Sequence, residues 1–294
     1  MPPPEAGAQG PPEDPLEEAV ADPVDGFDPP VRSARDAARL GLPGWPTPGE
    51  GFPPPPSPVP AGRGGDQVIP RPLATRPGRR APWADLPADR RRPTLADVRR
   101  ALIEAGPALR SERELMSDID RASAVLAPLY EHDAELFIVL TRRTWEMRSH
   151  SGEVSFPGGR QDDDDPDLWH TALREAREEI ALDTDDLEHI GELDHLATVS
   201  SHSYIVPYVA ALPGRPATTA NPEEVSAVLH VPIAELLDPA IFREERWELP
   251  WAEDRPIFFF ELVGDTVWGA TGAMLRQLLG LVTGTLTRGQ LEHL

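Results

Sequence analysis

Glu175, Glu178 and Glu179 fall at i, i+3 and i+4, so a helix through them carries three carboxylates on one face. Like charges so placed cost stability unless something positive lies among them. Carboxylate oxygens are the natural ligands of Mg2+ or Mn2+, ions that keep water and bind phosphates. Ahead of the helix stands Phe156-Pro157-Gly158-Gly159. Its glycines let the backbone pass close to the site, so that a carbonyl there reaches a metal. The chemistry that fits is attack of metal-activated water on a phosphoanhydride. A solvated acidic helix with Arg174 and Glu178 as an i, i+4 pair would explain the carboxylates alone. It leaves the glycine turn and the pattern upstream of it unexplained.

Other reactive side chains are weaker candidates. His150, His170, His195 and His202 have no sequence partner, and a hard metal prefers the carboxylates. Ser200-Ser201-His202-Ser203 has no activating context for a nucleophile and reads as a loop. Trp247, Trp251 and Trp268 read as core or rim.

The elements that must hold the carboxylates interleave strands and helices, which points to a mixed sheet between helices. Thr94 caps a helix over Leu95 to Ala105, with Asp97 in its first turn. Strands follow over Ala122 to Tyr130 and Glu135 to Thr141, joined as a hairpin by the polar turn Glu131-His132-Asp133-Ala134. Val154-Ser155-Phe156 is a short strand into the glycine turn. The carboxylate helix is predicted from Pro166 to about Leu182, capped by Asp165, with Leu173, Ala176 and Ile180 buried. His189 to Val199 and Tyr204 to Leu212 are two more strands, and Pro207 predicts an edge or a bulge for the second. Ala227 to Val231 is an apolar run, Ile233 to Leu237 a short helix, Pro256 to Val263 a strand, and Trp268 to Leu279 a terminal amphipathic helix.

Composition bounds the rest. Of 36 prolines, 23 lie in the first 90 residues, a stretch without apolar periodicity. It is expected to be a disordered, Pro-rich tail over 1–90, broken by one marginal helix between Val31 and Leu40, ahead of a folded domain over 91–290. A chain starting near Pro93 is expected to keep its activity, and a proline-rich ligand for a partner domain is the tail's other reading. The net charge of −22 disfavours nucleic acid and anionic membranes as partners. All 28 basic residues are arginine, and there is no cysteine for disulfides, thiolate metal sites or nucleophiles. With no signal-peptide core and no apolar run long enough to span a bilayer, the expected location is cytoplasmic.

The same residues carry a resemblance. Residues 156–180 resemble a Nudix box, the signature of Nudix hydrolases. Val139-Leu140-Thr141-Arg142-Arg143-Thr144, then Arg148, Gly152 and Phe156-Pro157-Gly158-Gly159, is similar to the added signature of the coenzyme A pyrophosphatase branch. Val139 replaces its first leucine and Thr144 its serine. The likeness continues through Asn221-Pro222-Glu223-Glu224 to Trp268-Gly269-Ala270-Thr271 and covers nearly all of residues 95 to 285.

That resemblance implies a Nudix α/β/α sandwich with a mixed sheet. It implies a pyrophosphatase that cleaves CoA or acyl-CoA to 3′,5′-ADP and a 4′-phosphopantetheine species with Mg2+ or Mn2+ as cofactor. Glu175, Glu178, Glu179 and the Gly159 carbonyl are its implied metal ligands, and Arg174 its implied box arginine, holding a helix glutamate in place. Arg142, Arg143, Arg148 and the Gly158 backbone are its implied substrate contacts, and Glu178 or Glu224 the general base. A Nudix hydrolase of ADP-ribose, NADH or a deoxynucleotide, and a non-catalytic Nudix-fold binding module, are the alternatives. The expected partner is a small CoA-like nucleotide; a homodimer stays open, and the tail's partner is unknown. Two positions depart from the broad pattern. Pro166 stands where a glutamate is usual, beside the acidic run Asp162 to Asp165, and Ala181 stands where the helix usually ends in glycine, so that the exit is expected to differ.

Overall fold

The computed structural model describes residues 44–46, 50–110, 121–146, 152–197, 203–249 and 252–290. The expected helix between Val31 and Leu40 lies outside them, as do Arg148, His150, His202 and Trp251. In chain order the strands are β1 (Thr75–Pro77), β2 (Arg121–His132), β3 (Glu135–Arg143), β4 (Val154–Ser155), β5 (Gly158–Arg160) and β6 (Glu188–Glu192). They continue with β7 (Leu196–Ala197), β8 (Ser203–Ala211), β9 (Val225–Pro232), β10 (Phe242–Leu249), β11 (Ala252–Glu261) and β12 (Thr266–Trp268). The helices are α1 (Leu95–Ala105), α2 (Leu168–Ile180), α3 (Ile233–Leu236) and α4 (Gly269–Thr283).

The larger sheet runs β4-β3-β2-β8-β6, with β5 added to β2, β7 to β8 and β9 to β3. It is mixed, because β2 and β8 are parallel while β2 and β3 are antiparallel. Strand alternation splits its side chains between two cores. Leu126, Tyr130 and Val139 pack under Ala172, Ala176 and Ile180 of α2. Leu129, Ile138 and Leu140 point the other way, toward α1, α4 and the phenylalanines of a second sheet, β1-β10-β11-β12. The α/β/α sandwich follows from that division.

Local chemistry sets the ends of these elements. Thr94 and Asp97 form a reciprocal capping box on α1. The β2–β3 turn is only Asp133-Ala134, both left-handed at φ 50 and 60, the geometry that matches strand twist. The predicted start of α2 at Pro166 is corrected: Asp167 is the cap, accepting from the His170 N–H at 2.9 Å, and the helix begins at Leu168. The Asp165 carboxylate is taken by Arg174 instead. At the other end Ala181 adopts the left-handed conformation (φ 51, ψ 35) and its N–H caps the helix. The expected change of exit does not occur; alanine makes the glycine turn.

Pro207 does not mark an edge. It lies inside β8, between β2 and the β6–β7 side. The predicted strand His189 to Val199 is broken there: β6 ends at Glu192 and β7 starts at Leu196. Only the Pro207 carbonyl is used, by Leu193 N–H at 2.9 Å. A strand residue's N–H and C=O point to the same side, so the missing N–H falls at the break.

The expected tail boundary near residue 90 is also corrected. Trp45 and Ile69 bury against Trp247 and Phe259 on the outer face of the second sheet. Trp83 is fully buried, stacked on Phe260 and edge-on to Phe242. β1 pairs with β10. Arg71 donates to Glu245 at 2.9 and 3.1 Å. This stretch wraps rather than repeats, so its few large apolar residues show no period. Among the described residues no helix is long and apolar enough to cross a membrane.

Two stability outcomes follow. Trp83→Ala is expected to cost about 3–5 kcal/mol in urea unfolding, the range for a fully buried aromatic; a value below 1 kcal/mol would mean that the segment is not part of the fold. Ala181→Gly is expected to raise stability by about 1 kcal/mol in the same assay, by relieving a left-handed alanine.

Candidate active site

The helix α2 presents its carboxylates in a gradient of exposure. The Glu179 side chain is 3 % exposed, Glu175 15 % and Glu178 57 %. The spacing that puts them on one side thus makes three different environments. Burial, opposed by the nearby Arg143 and by a hydrogen bond from Gly158 N–H, pushes the Glu179 carboxyl up to about 8; Glu175 and Glu224 add repulsion. Glu175 is raised in the same direction, chiefly by burial against the pull of Arg174.

Arg174 ties this surface together. Its Nη1 donates to Glu175 Oε1 at 3.0 Å and to Glu178 Oε2 at 2.9 Å. Its Nε and Nη2 donate to Asp165 at 3.0 and 2.9 Å, and Nη2 also to the Arg160 carbonyl at 2.9 Å. The Asp165 side chain is 7 % exposed. The Arg174 guanidinium, first, and hydrogen bonds from Asp162 N–H and Thr171 hold its carboxyl far below the usual carboxylate range. The sequence reading gave Asp165 the helix cap, not the arginine. The signal was present as the acidic run beside Pro166, and the side chain next to the proline holds the arginine.

The glycine turn closes the site from the sheet side. β5 pairs with β2 at Ala124–Gly159, and Gly158 N–H donates to Glu179 Oε2 at 3.2 Å. A Cβ on Gly159 would collide with the Glu175 carboxyl, and one on Gly158 with the Ala124 carbonyl. Glycine is needed at both positions for close approach.

From β3, alternation sends the two neighbouring arginines to opposite faces. Arg143 Nη1 lies 3.8 Å from Glu179 Oε1. Arg142 turns away: it donates to Asp265 at 3.2 Å and to Ser226 Oγ at 3.1 Å. Of the arginine pair expected at the phosphates, only Arg143 meets the carboxylates. Arg148 lies outside the described residues.

The loop before β9 brings in the last carboxylate. Asn221 N–H donates to the Glu179 carbonyl at 2.8 Å, and Thr144 N–H to the Glu224 carbonyl at 2.9 Å. Asn221 Oδ1 accepts from Glu223 N–H, a side-chain turn. Glu224 is half-buried near Glu175 and Glu179, whereas Glu223 is exposed. The histidines do other work: His170 pairs with Asp167 at the α2 cap, and His195 sits between Glu192 and Tyr204. Trp247 and Trp268 belong to the core of the second sheet.

The donors fit a hard divalent cation. They are oxygens only, and burial resists the negative charge of Glu175 and Glu179, with Glu224 adding repulsion. Among the described residues no three acidic or imidazole groups stand ready as a cage. Glu175 and Glu178 are instead drawn to Arg174, and Glu179 toward Arg143 and Gly158.

The family model for the NUDIX domain matches residues 120–251, the span that holds all these carboxylates and glycines. The uncharacterized Nudix hydrolase NudL of Photorhabdus laumondii is 34% identical over 164 residues, 55% of this chain and 86% of that protein. NudL of Yersinia pestis is 34% identical over 171 residues, 55% of this chain and 80% of its own length. Among solved structures, the NUDIX domain of Shewanella oneidensis NrtR, complexed with ADP ribose, aligns with a TM-score of 0.34 at 21% identity, over 43% of this chain and 84% of that one. Matched at this identity over most of a curated member's length, the chain belongs to the Nudix hydrolases, pyrophosphatases that act on nucleoside diphosphate derivatives.

Proposed function

We propose that the chain hydrolyses the diphosphate of CoA or an acyl-CoA, giving 3′,5′-ADP and 4′-phosphopantetheine or its acyl form. The observation that carries this is the end of β3. The segment similar to the CoA-branch signature runs into the carboxylates, with Arg143 3.8 Å from Glu179 and Thr144 bound to the Glu224 backbone at 2.9 Å.

Glu175, Glu178, Glu179 and the Gly159 carbonyl would hold Mg2+ or Mn2+. When bound, the ion supplies charge neutralisation at the phosphoryl oxygens and a more acidic water. Arg174 keeps Glu175 and Glu178 apart and oriented while Asp165 anchors it from behind. Arg143 brings a guanidinium fork to the phosphates. Glu224 is the general base. Its loop is fixed at Asn221 and Thr144, whereas the Glu178 carboxylate is engaged by Arg174 and assigned to the metal.

Mass spectrometry of products from CoA, ADP-ribose, NADH and dGTP, in Mg2+ and in Mn2+, tests this. Release of 3′,5′-ADP from CoA is expected. Glu178→Gln and Glu224→Gln should each lower kcat by about 10²–10⁴-fold, the scale of acid–base and metal-site losses, and only Glu178→Gln should weaken Mn2+ binding. Turnover of another substrate with CoA untouched overturns the CoA assignment; silence on all four favours a binding module.

The Asp165–Arg174 pair makes a separate expectation for pH. The folded Asp165 carboxyl sits below its unfolded value, so its stabilisation is complete above the usual carboxylate range and is lost as pH falls through the folded value. Urea midpoints of wild type and Asp165→Asn should therefore differ fully near pH 6, with the gap narrowing only below about pH 4 and closing well below pH 3. A gap that does not narrow contradicts the pairing.

A further inference from the structure

We propose that Gln67 and Asp265 are positioning residues for the carboxylate site, acting through Arg142 and a strand bulge. The kinetic part of this rests on the hydrolase reading above. Gln67 lies in the segment expected to be tail, yet it is buried and both of its polar atoms are hydrogen-bonded. Its Nε2 donates to Asp265 Oδ1 at 2.8 Å and to the Gly152 carbonyl at 3.1 Å. Its Oε1 accepts from Thr266 N–H at 2.9 Å. Asp265, also buried, accepts from Arg142 Nη1 at 3.2 and 3.3 Å.

Arg142 sits at a register shift. The pairing of β3 with β9 slips between Arg142 and Arg143. Ser226 Oγ fills the slip: it accepts from Arg142 Nε at 3.1 Å and reaches the Arg142 and Arg143 carbonyls at 3.1 and 3.3 Å. Past the slip, Arg143 meets Glu179 on the other face and Thr144 holds Glu224. Bulges re-aim side chains and occur beside active sites. Here the extra residue is Ser226 of β9, so the place of Glu224, two residues before it, depends on a bulge that Asp265 grips through Arg142, while Arg143 at the same step faces Glu179. Gln67 grips a second point, Gly152, whose N–H donates to the Thr144 carbonyl at 3.4 Å.

A plainer role would be to tether the N-terminal segment. That tether has other bonds. Gly64 N–H donates to the Leu262 carbonyl at 2.7 Å, Gly65 N–H to Thr266 Oγ1 at 3.2 Å, and Arg71 to Glu245. Removing the Gln67 amide should leave the segment docked while loosening Arg142 and Gly152, so the two roles separate.

The experiment uses the full chain as wild type, Gln67→Ala, Asp265→Asn and the double variant. Amide hydrogen exchange is read at Gly64, which reports docking, and at Arg143, Thr144 and Gly152, which report the bulge. Kinetics are read on whichever substrate of the panel the wild type hydrolyses. In each single variant the Arg143, Thr144 and Gly152 amides should exchange at least about tenfold faster with Gly64 unchanged. The kcat should fall by about 10–100-fold, as misplacement of reacting groups does. The double variant should lose little more than either single one, because both act on one path. Unchanged exchange at the three amides, or equal acceleration at Gly64, overturns the proposal, as does kcat within twofold of wild type. If the wild type hydrolyses nothing, the substrate assignment fails while the exchange data still decide the positioning role.

Discussion

Crowding of like charge along α2 is the constraint on which the site depends. Glu175, Glu178 and Glu179 occupy little more than one turn, and Glu224 approaches from the loop before β9. Their repulsion is bearable because two guanidinium groups are built in. Arg174 spreads its donors over Glu175, Glu178, Asp165 and a carbonyl, while Arg143 faces Glu179. A carboxylate removed from water without a partner would take up a proton. The raised Glu179 shows that compensation here is partial. A site left short of positive charge is one that a divalent cation and its phosphate ligand complete.

The second sheet solves a different electrostatic problem. Glu245 and Glu261 are buried, and Arg243 donates to both, at 2.7 and 2.8 Å. Arg71 and the Trp247 indole complete Glu245, and Thr266 completes Glu261. Arg71 and Arg243 lie over Phe259. Buried ion pairs seldom add much net stability over apolar packing, but leaving one unpartnered is severe. Arg71 thus ties the wrapping segment to the sheet beneath it, as a third donor to Glu245. The segment in turn delivers Gln67 to the edge of the site.

Local signals were legible wherever one interaction dominated. The Thr94–Asp97 box, the hairpin at Asp133, the apolar stripe of α2 and the glycine turn all fold as their residues indicate. What stayed hidden depended on distant partners. β10 reads Phe-Arg-Glu-Glu-Arg-Trp-Glu-Leu, and its Arg243 and Glu245 are buried on the outer face only because the wrapping segment covers them, so nothing in the segment alone marks a strand. Trp45, Ile69 and Trp83 are too far apart to show a period, because each fills a separate site on one sheet. The α2 start moved by two residues because Arg174, nine positions on, competes for Asp165. Pro207 misled because its break is in the neighbouring strands. For the site, the box carboxylates were readable from spacing, while their unequal burial and the opposite facing of Arg142 and Arg143 needed the sheet.

Unequal burial is also what separates the duties of chemically identical side chains. Glu178 is mostly in water and bound to Arg174. Glu179 is enclosed and backed by Gly158 N–H, so it is fixed in place. Among the described residues Glu224 has neither the guanidinium of Glu178 nor the enclosure of Glu179, but its backbone is pinned at both ends of the loop. The division rests on backbone contacts to Thr144 and Asn221, not on the carboxylates themselves. The end of β3 is thus where scaffold and site meet: Arg142 faces the clamp at Asp265, Arg143 faces Glu179, and Thr144 holds the Glu224 backbone.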